Sequence, residues 1–334
     1  MSFDRISDIP KLEAEEHYTL LTSDKLWLFS MKFHDQPNYN GGQRVTHKGG
    51  YSVYFDLKTQ KWSKVEEFNA LTMEEHVDEL IFVHQDKICC LLYSNLGKIE
   101  FLQLAVFDIN ERQFTMWNEF SNILVKAENE DESFKQKLIL ADGNLPDQSR
   151  LLVASIEGNL HLFKLSIDFS EKHASISPAA KYSEDERQSA MLIPTNAAVK
   201  DDDVILEFAS RAGCIVRWEP AKFDRLNVNE KHFERIEIRE GPSNFSFMGA
   251  KLTTLVEGDQ WMHFCGNAQH GMTGRKFIGE VWTLEKAFTK MPEWKKVEGI
   301  EVPKEAEESE FAFDSNKKVL YIIDHKNGLF SAQL

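Results

Sequence analysis

The feature that most restricts how this chain can fold is an aspartate that closes a strand-patterned run, followed six positions later by an aromatic residue that opens the next. It is clearest from Gly49 to Val65, where Tyr51, Val53 and Phe55 alternate with Ser52 and Tyr54. Asp56 to Gln60 then form a polar turn, and Trp62 begins the return. Alternation with a period of two marks a half-buried strand, and an aspartate at such a turn can accept hydrogen bonds from amides two or three residues on. The arrangement recurs at Asp108 and Phe114; in a third copy Asp168 holds the turn and Ala174 takes the aromatic place. Glu219 and Thr283 mark the fourth and fifth copies, and Trp294 to Val297 echoes Trp62 to Val65.

These markers stand 52, 60, 51 and 64 residues apart, and each interval has room for four short strands. A period in the fifties holding four strands is the pattern of a β-propeller blade, and no sustained period of 3.6 suggests stacked helices. The chain is therefore expected to be all-β, a six-bladed β-propeller of four-stranded blades in a single domain spanning 1–334. Blades are expected at about 17–68, 78–120, 137–178, 188–240 and 250–298, and the sixth at 308–334. The last stretch offers only three strands, so the segment 3–9 is expected to supply the fourth and close the fold with strands from both termini.

Gly49-Gly50, Tyr54, Asp56 and Trp62 resemble the repeat of the kelch β-propellers, in which a glycine pair follows the second strand and a Tyr and a Trp flank the turn between the third and fourth. Gly97 with Phe107 and Phe114, and Trp282 with Trp294, are degenerate versions of it. The resemblance covers one blade as motif and the whole chain as architecture. It implies a disc with a central channel, loops on two faces and a protein-binding role.

A formal charge of −15 disfavours a nucleic-acid backbone or an anionic membrane surface as main partner and favours a basic one. Four segments joining one blade to the next, 66–79, 121–136, 179–188 and 298–310, carry a net −14 between them. The expected partner is thus a protein that presents a basic segment to an acidic loop face. Glu66, Glu67, Glu74, Glu75, Glu307 and Glu308 are the candidate contacts, with His270 and Arg275 on a glycine-rich excursion nearby. Oligomeric state is left open. No window has the apolar length of a membrane span and the first residues lack a signal-peptide core, so residence in the cytoplasm or nucleus is expected. The four cysteines sit in strand-like apolar runs and are expected to be free thiols.

No catalytic set stands out. His263, Cys265 and His270 offer soft-metal donors on a strand and its adjoining loop but lack a fourth ligand at suitable spacing, so no metal and no cofactor are assigned. Gly266 to Gly274 lacks the Gly-Lys-Ser/Thr ending of a phosphate loop, and Gly-x-Ser-x-Gly does not occur. The alternative to a scaffold or adaptor is a propeller enzyme, such as a metal-dependent hydrolase, with a small-molecule site at the channel mouth.

Overall fold

The computed structural model describes residues 3–12, 16–36, 45–74, 77–94, 98–117, 119–121, 123–126, 138–156, 159–182, 192–210, 222–229, 232–236, 250–256, 259–270 and 274–334. Among these are 27 strands and one short 3-10 helix, Lys304–Glu308, and the strands form six antiparallel sheets. This is the blade architecture of a six-bladed β-propeller. The chain divides into two compact units, one of residues 2–126, 168–174 and 308–334, the other of 127–167 and 175–307.

In the first unit, β1 is Asp4–Ser7. One blade contains β2 (Glu16–Leu21), β3 (Lys25–Gln36), β4 (Val45–Asp56), β5 (Lys61–Trp62) and β6 (Glu66–Glu74). The next contains β7 (Val77–His84), β8 (Lys87–Ser94), β9 (Lys98–Asp108) and β10 (Gln113–Met116), followed by β11 (Glu119–Ser121) and β12 (Leu124–Lys126), which pairs with β9. In the second unit the blades are β13 (Leu138–Leu140), β14 (Arg150–Ile156), β15 (Asn159–Asp168) and β16 (His173–Tyr182); β17 (Leu192–Lys200), β18 (Asp203–Ser210), β19 (Lys222–Asn227) and β20 (His232–Ile236); and β21 (Ala250–Val256), β22 (Gln260–His270), β23 (Gly274–Glu285) and β24 (Glu293–Glu301). The first unit also holds β25 (Glu310–Asp314), β26 (Val319–Asp324) and β27 (Gly328–Gln333), arranged in the order β1-β27-β26-β25. The segment near the start of the chain thus completes the last blade, as expected, with Asp4 opposite Ser331 and Arg5 opposite Phe330.

The repeated turns form for the anticipated reason. The amides of Lys58 and Thr59 donate to Asp56 Oδ1 (3.0 and 2.7 Å), those of Asn110 and Glu111 to Asp108 Oδ1 (2.8 and 3.0 Å), and those of Ser170 and Glu171 to Asp168 Oδ1 (2.9 and 3.1 Å). These bonds, led at Asp168 by a donation from the Ser170 hydroxyl (2.6 Å), stabilise the ionised form and hold all three carboxyls below the usual aspartate range. The aromatic six positions on reaches a neighbouring sheet. Phe114 packs on Phe29 (6.0 Å between centroids) and Phe68 (5.5 Å), and Trp62 Nε1 donates to Ser7 Oγ of β1 (3.1 Å).

Two local expectations are corrected. In the sequence, Glu219 marks the turn of the fourth copy, after a strand-like run from Cys214 to Trp218 and before a polar stretch to Lys231. Cys214 to Trp218 lies outside the described residues, and the third strand is β19, Lys222–Asn227. Asn227 then holds the turn, accepting from the Asn229 amide at 3.0 Å. The residues closing the third strands are Asp56, Asp108, Asp168, Asn227 and Glu285, at intervals of 52, 60, 59 and 58. The repeat is therefore more regular than the sequence suggested.

The glycine pair Gly49-Gly50 also does not follow the second strand. It lies inside β4, opposite Lys32 and Met31 of β3, because the β3–β4 hairpin extends farther than its apolar pattern. A Cβ on Gly50 would fall 2.0 Å from the Ser30 carbonyl oxygen and 2.8 Å from Phe68 Cζ, so the position requires glycine for close packing.

Strands β8 and β26 are apolar on both faces and are buried throughout their apolar runs. Ile88 to Leu92 and Leu320 to Ile323 are all buried. Cys89, Cys90 and Cys265 are buried free thiols, and Cys214 lies outside the described residues.

Candidate functional site

The acidic positions are not all on loops. Glu66 to Glu74 forms β6, which pairs with β4 from Ser52 opposite Glu66 to Val45 opposite Glu74. Glu66 and Glu67 are exposed at its start. Glu75 and the side chain of Glu74 lie outside the described residues. In the 3-10 helix Glu307 is half-buried and Glu308 is exposed, where it pairs with Lys326 Nζ (2.8 Å). The backbones of His270 and Arg275 end β22 and open β23, adjacent strands of one hairpin; their side chains lie outside the described residues.

Near Glu66 is a buried charge that the sequence reading passed over. The fourth strand of this blade leaves the β4 edge between β5 and β6, over Ser63 to Val65. Arg112, in the turn after β9, fills that interruption. Its Nη2 donates to the Ser52 carbonyl (2.7 Å), and its Nη1 donates to the Lys64 carbonyl (2.9 Å) and Ser63 Oγ (3.3 Å). Glu66 Oε1 lies 3.5 Å from Nη1, and the guanidinium sits over the rings of Trp27 (5.5 Å) and Tyr54 (5.3 Å). Burial pulls its pKa down, and Glu66 opposes that shift.

The second unit encloses a file of polar groups. Asp142, just after β13, accepts from Thr253 Oγ1 (2.7 Å) and Trp261 Nε1 (2.9 Å), while its backbone bridges Ala197 and Val199 of β17 (2.8 Å each). Desolvation raises its carboxyl to about 6 despite those two donors. The Trp261 ring meets His263 edge-on (4.4 Å), and His263 also contacts Trp294 (4.8 Å). His263 Nδ1 lies 3.8 Å from Glu207 Oε2, which accepts from Asn196 Nδ2 (2.6 Å). Neither ring nitrogen of His263 has a hydrogen-bond partner among the described residues. Burial drives His263 down to about 3 and Glu207 up to about 7. Of the two groups, the carboxyl is therefore the one that carries a proton near neutral pH.

That assignment has a measurable consequence. Between about pH 4.5 and 6.5 the folded pair holds one proton on Glu207, and the unfolded pair holds one on His263, so the pair contributes no pH dependence in that window. Glu207→Gln removes the carboxyl and leaves His263, whose unfolded form alone takes up a proton. Relative to the parent protein, the variant is expected to lose stability as pH falls from 6.5 to 4.5, with a slope approaching ~1.4 kcal/mol per pH unit. Denaturant unfolding of both proteins across the window tests this, and parallel curves would place the proton elsewhere.

The weighed donors His263, Cys265 and His270 form no ligand set among the described side chains, that of His270 lying outside them. Cys265 takes a left-handed φ of +51°, opposite a register shift in β23, and burial raises its thiol to about 12. His263 instead faces Glu207 and two tryptophans.

In the first unit, β2 and β25 carry features at both ends. At one end a cavity of about 410 Å3 is lined by Leu21, Thr22, Ser23, Asp86, Phe313 and Asn316. At the other, His17 and His325 stack with ring centroids 4.2 Å apart, beside Glu310. His17 is held below its usual range by burial and by His325, against the opposing pull of Glu310. Among the described residues, no helix is long and apolar enough to cross a membrane.

No family model matches the chain, and no curated protein matches it. Among solved structures, it is similar to the WD40 domain of SCAP from fission yeast, at 8% identity and a TM-score of 0.40, covering 96% of this chain and 81% of that one. It is also similar to the GH74 xyloglucanase from Xanthomonas campestris (13%, TM-score 0.42, covering 93% and 43%). A third is the β-propeller domain of the Trilobed protease from Pyrococcus furiosus (7%, TM-score 0.37, covering 93% and 77%).

Proposed function

We propose that this chain is a protein-interaction module of kelch-like repeat type, a scaffold or adaptor of the cytoplasm or nucleus that receives a basic segment of a protein partner. The observation that carries this reading is where the negative charge lies. Four stretches of the sequence, 66–79, 121–136, 179–188 and 298–310, hold a net −14 of the chain's −15. In the segment 298–307, Glu298, Glu301 and Glu305 are exposed on β24 and the 3-10 helix, Glu307 is half-buried, and Lys304 is the only cation. β24 is the outer strand of its sheet. A negative potential at such an edge attracts a basic chain at long range and disfavours acidic competitors. Beside Glu298, Glu301 and Glu305, this reading assigns Glu66, Glu67, Glu74, Glu75, Glu307, Glu308, His270 and Arg275 as contacts.

Affinity purification from native cells, with the chain as bait beside a variant carrying Glu298→Gln, Glu301→Gln and Glu305→Gln, tests the reading. A defined partner is expected to be retained by the parent, weakened in the variant, and released as salt rises from roughly 0.05 to roughly 0.5 M. A partner held equally by both baits and at both salt concentrations would refute charge-led binding.

A further inference from the structure

His17, Glu310 and His325 come from three places in the first unit: the second residue of β2, the first residue of β25, and the turn between β26 and β27. One ligating atom of each lies within 4.8 Å of the others, and among the described residues they are the one set of three potential metal ligands so placed. The two rings stack rather than hydrogen-bond, and His17 Nδ1 is buried with no hydrogen-bond partner among the described residues. A buried ring nitrogen left in that state is unfavourable unless something engages it. Glu310 is already oriented: Oε2 accepts from the Thr19 hydroxyl, and Oε1 faces His325 Nε2 at 3.6 Å.

We propose that these three side chains bind a borderline divalent cation of the zinc class, with Thr19 positioning the carboxylate. The donor set selects the ion. Two imidazole nitrogens and one carboxylate oxygen are a three-ligand zinc set with a fourth position open, whereas calcium takes six to eight oxygens and magnesium prefers oxygen ligands in an octahedron. Bonds of about 2.0–2.1 Å in a tetrahedral site need donors roughly 3.3 Å apart. The set must therefore contract, and His325, which is exposed on its turn, can swing without disturbing the core. The turn itself is held by Asp324 Oδ1, which accepts from the amides of Lys326 (2.8 Å) and Asn327 (3.0 Å), so the movement falls to the side chain. A hydroxyl holding a ligating carboxylate is the kind of outer partner that tunes metal affinity.

The test is calorimetric titration of the chelator-treated full chain with Zn2+, and absorption spectroscopy with Co2+ as a coloured substitute. One equivalent is expected to bind, with a cobalt spectrum of low coordination number and no competition from Ca2+ or Mg2+. His325→Ala and Glu310→Gln are each expected to weaken Zn2+ binding ~10- to 100-fold. His173→Ala, at an exposed histidine elsewhere, should leave it unchanged. Melting temperatures without metal show whether each variant is folded, and His325→Ala, on the exposed turn, is the variant on which the result rests. The proposal is overturned if no stoichiometric binding occurs, or if folded His325→Ala binds Zn2+ as tightly as the parent.

Discussion

Replacing Arg112 with alanine is expected to destabilise the protein by ~3–5 kcal/mol, the usual cost of removing one partner from a buried charged network. Arg112 is 5% exposed, and its guanidinium supplies donors to the Ser52 and Lys64 carbonyls where the fourth strand of the neighbouring blade departs from β4. Without it the Ser52 carbonyl loses a buried charged donor and the Lys64 carbonyl a part-buried one. The melting temperature should fall by on the order of 10 °C. Arg112→Lys should recover little, because one ammonium lacks the planar fork that reaches both carbonyls at once. Glu66→Gln should cost under ~1 kcal/mol, since its carboxylate is half-exposed and screened. Calorimetry of the three variants separates the backbone-anchoring role from the ion pair; an Arg112→Ala protein as stable as the parent would remove the anchoring role.

Removal of residues 1–9 is expected to be nearly as damaging, at ~3 kcal/mol or more. Strand β1 carries Ile6, and Ile9 follows it; both pack against the core of Leu26, Leu28, Val53, Phe55 and Leu329. Two partly buried aliphatic side chains account for ~2–3 kcal/mol. The hydrogen bond from Arg5 Nε to the Asn327 carbonyl (2.9 Å) and that from Trp62 Nε1 to Ser7 Oγ would be lost as well. The β27 edge would then be open to pairing with other chains, so the truncated protein should melt lower and aggregate with increasing concentration. A synthetic peptide of residues 1–12 should restore the melting temperature. A truncated protein that melts with the parent would show that β25 to β27 form a self-sufficient sheet.

The turn at Asp56 was legible because its cause is local. The carboxylate and the amides it receives lie within three residues, so composition and spacing alone specify the contact. The fourth repeat was misplaced for the converse reason. In β19, Lys222–Asn227, only Phe223 and Leu226 are apolar, and Asp224 is fully buried, so the strand lacks the alternation that betrays one, while the apolar run near Cys214 displays it. Pairing with β18, from Asp203 opposite Asn227 to Phe208 opposite Lys222, places a weakly patterned segment in the sheet.

Nothing in the sequence sets Arg112 apart from other turn residues or relates His17, Glu310 and His325 to one another. Asp142 and Trp261 are likewise 119 residues apart. No spacing rule connects such residues, because their separation along the chain is set by how many blades intervene.

By itself, the sequence determined the class of fold, the number of blades, the completing role of the first strand and the chemistry of the aspartate turns, all of which follow from periodicity and short-range hydrogen bonding. Only the tertiary structure decided which charges are buried, which histidines meet other titratable groups, and which acidic positions lie in strands. Those outcomes depend on desolvation and on neighbours supplied by other blades, and neither is written into any local stretch of chain.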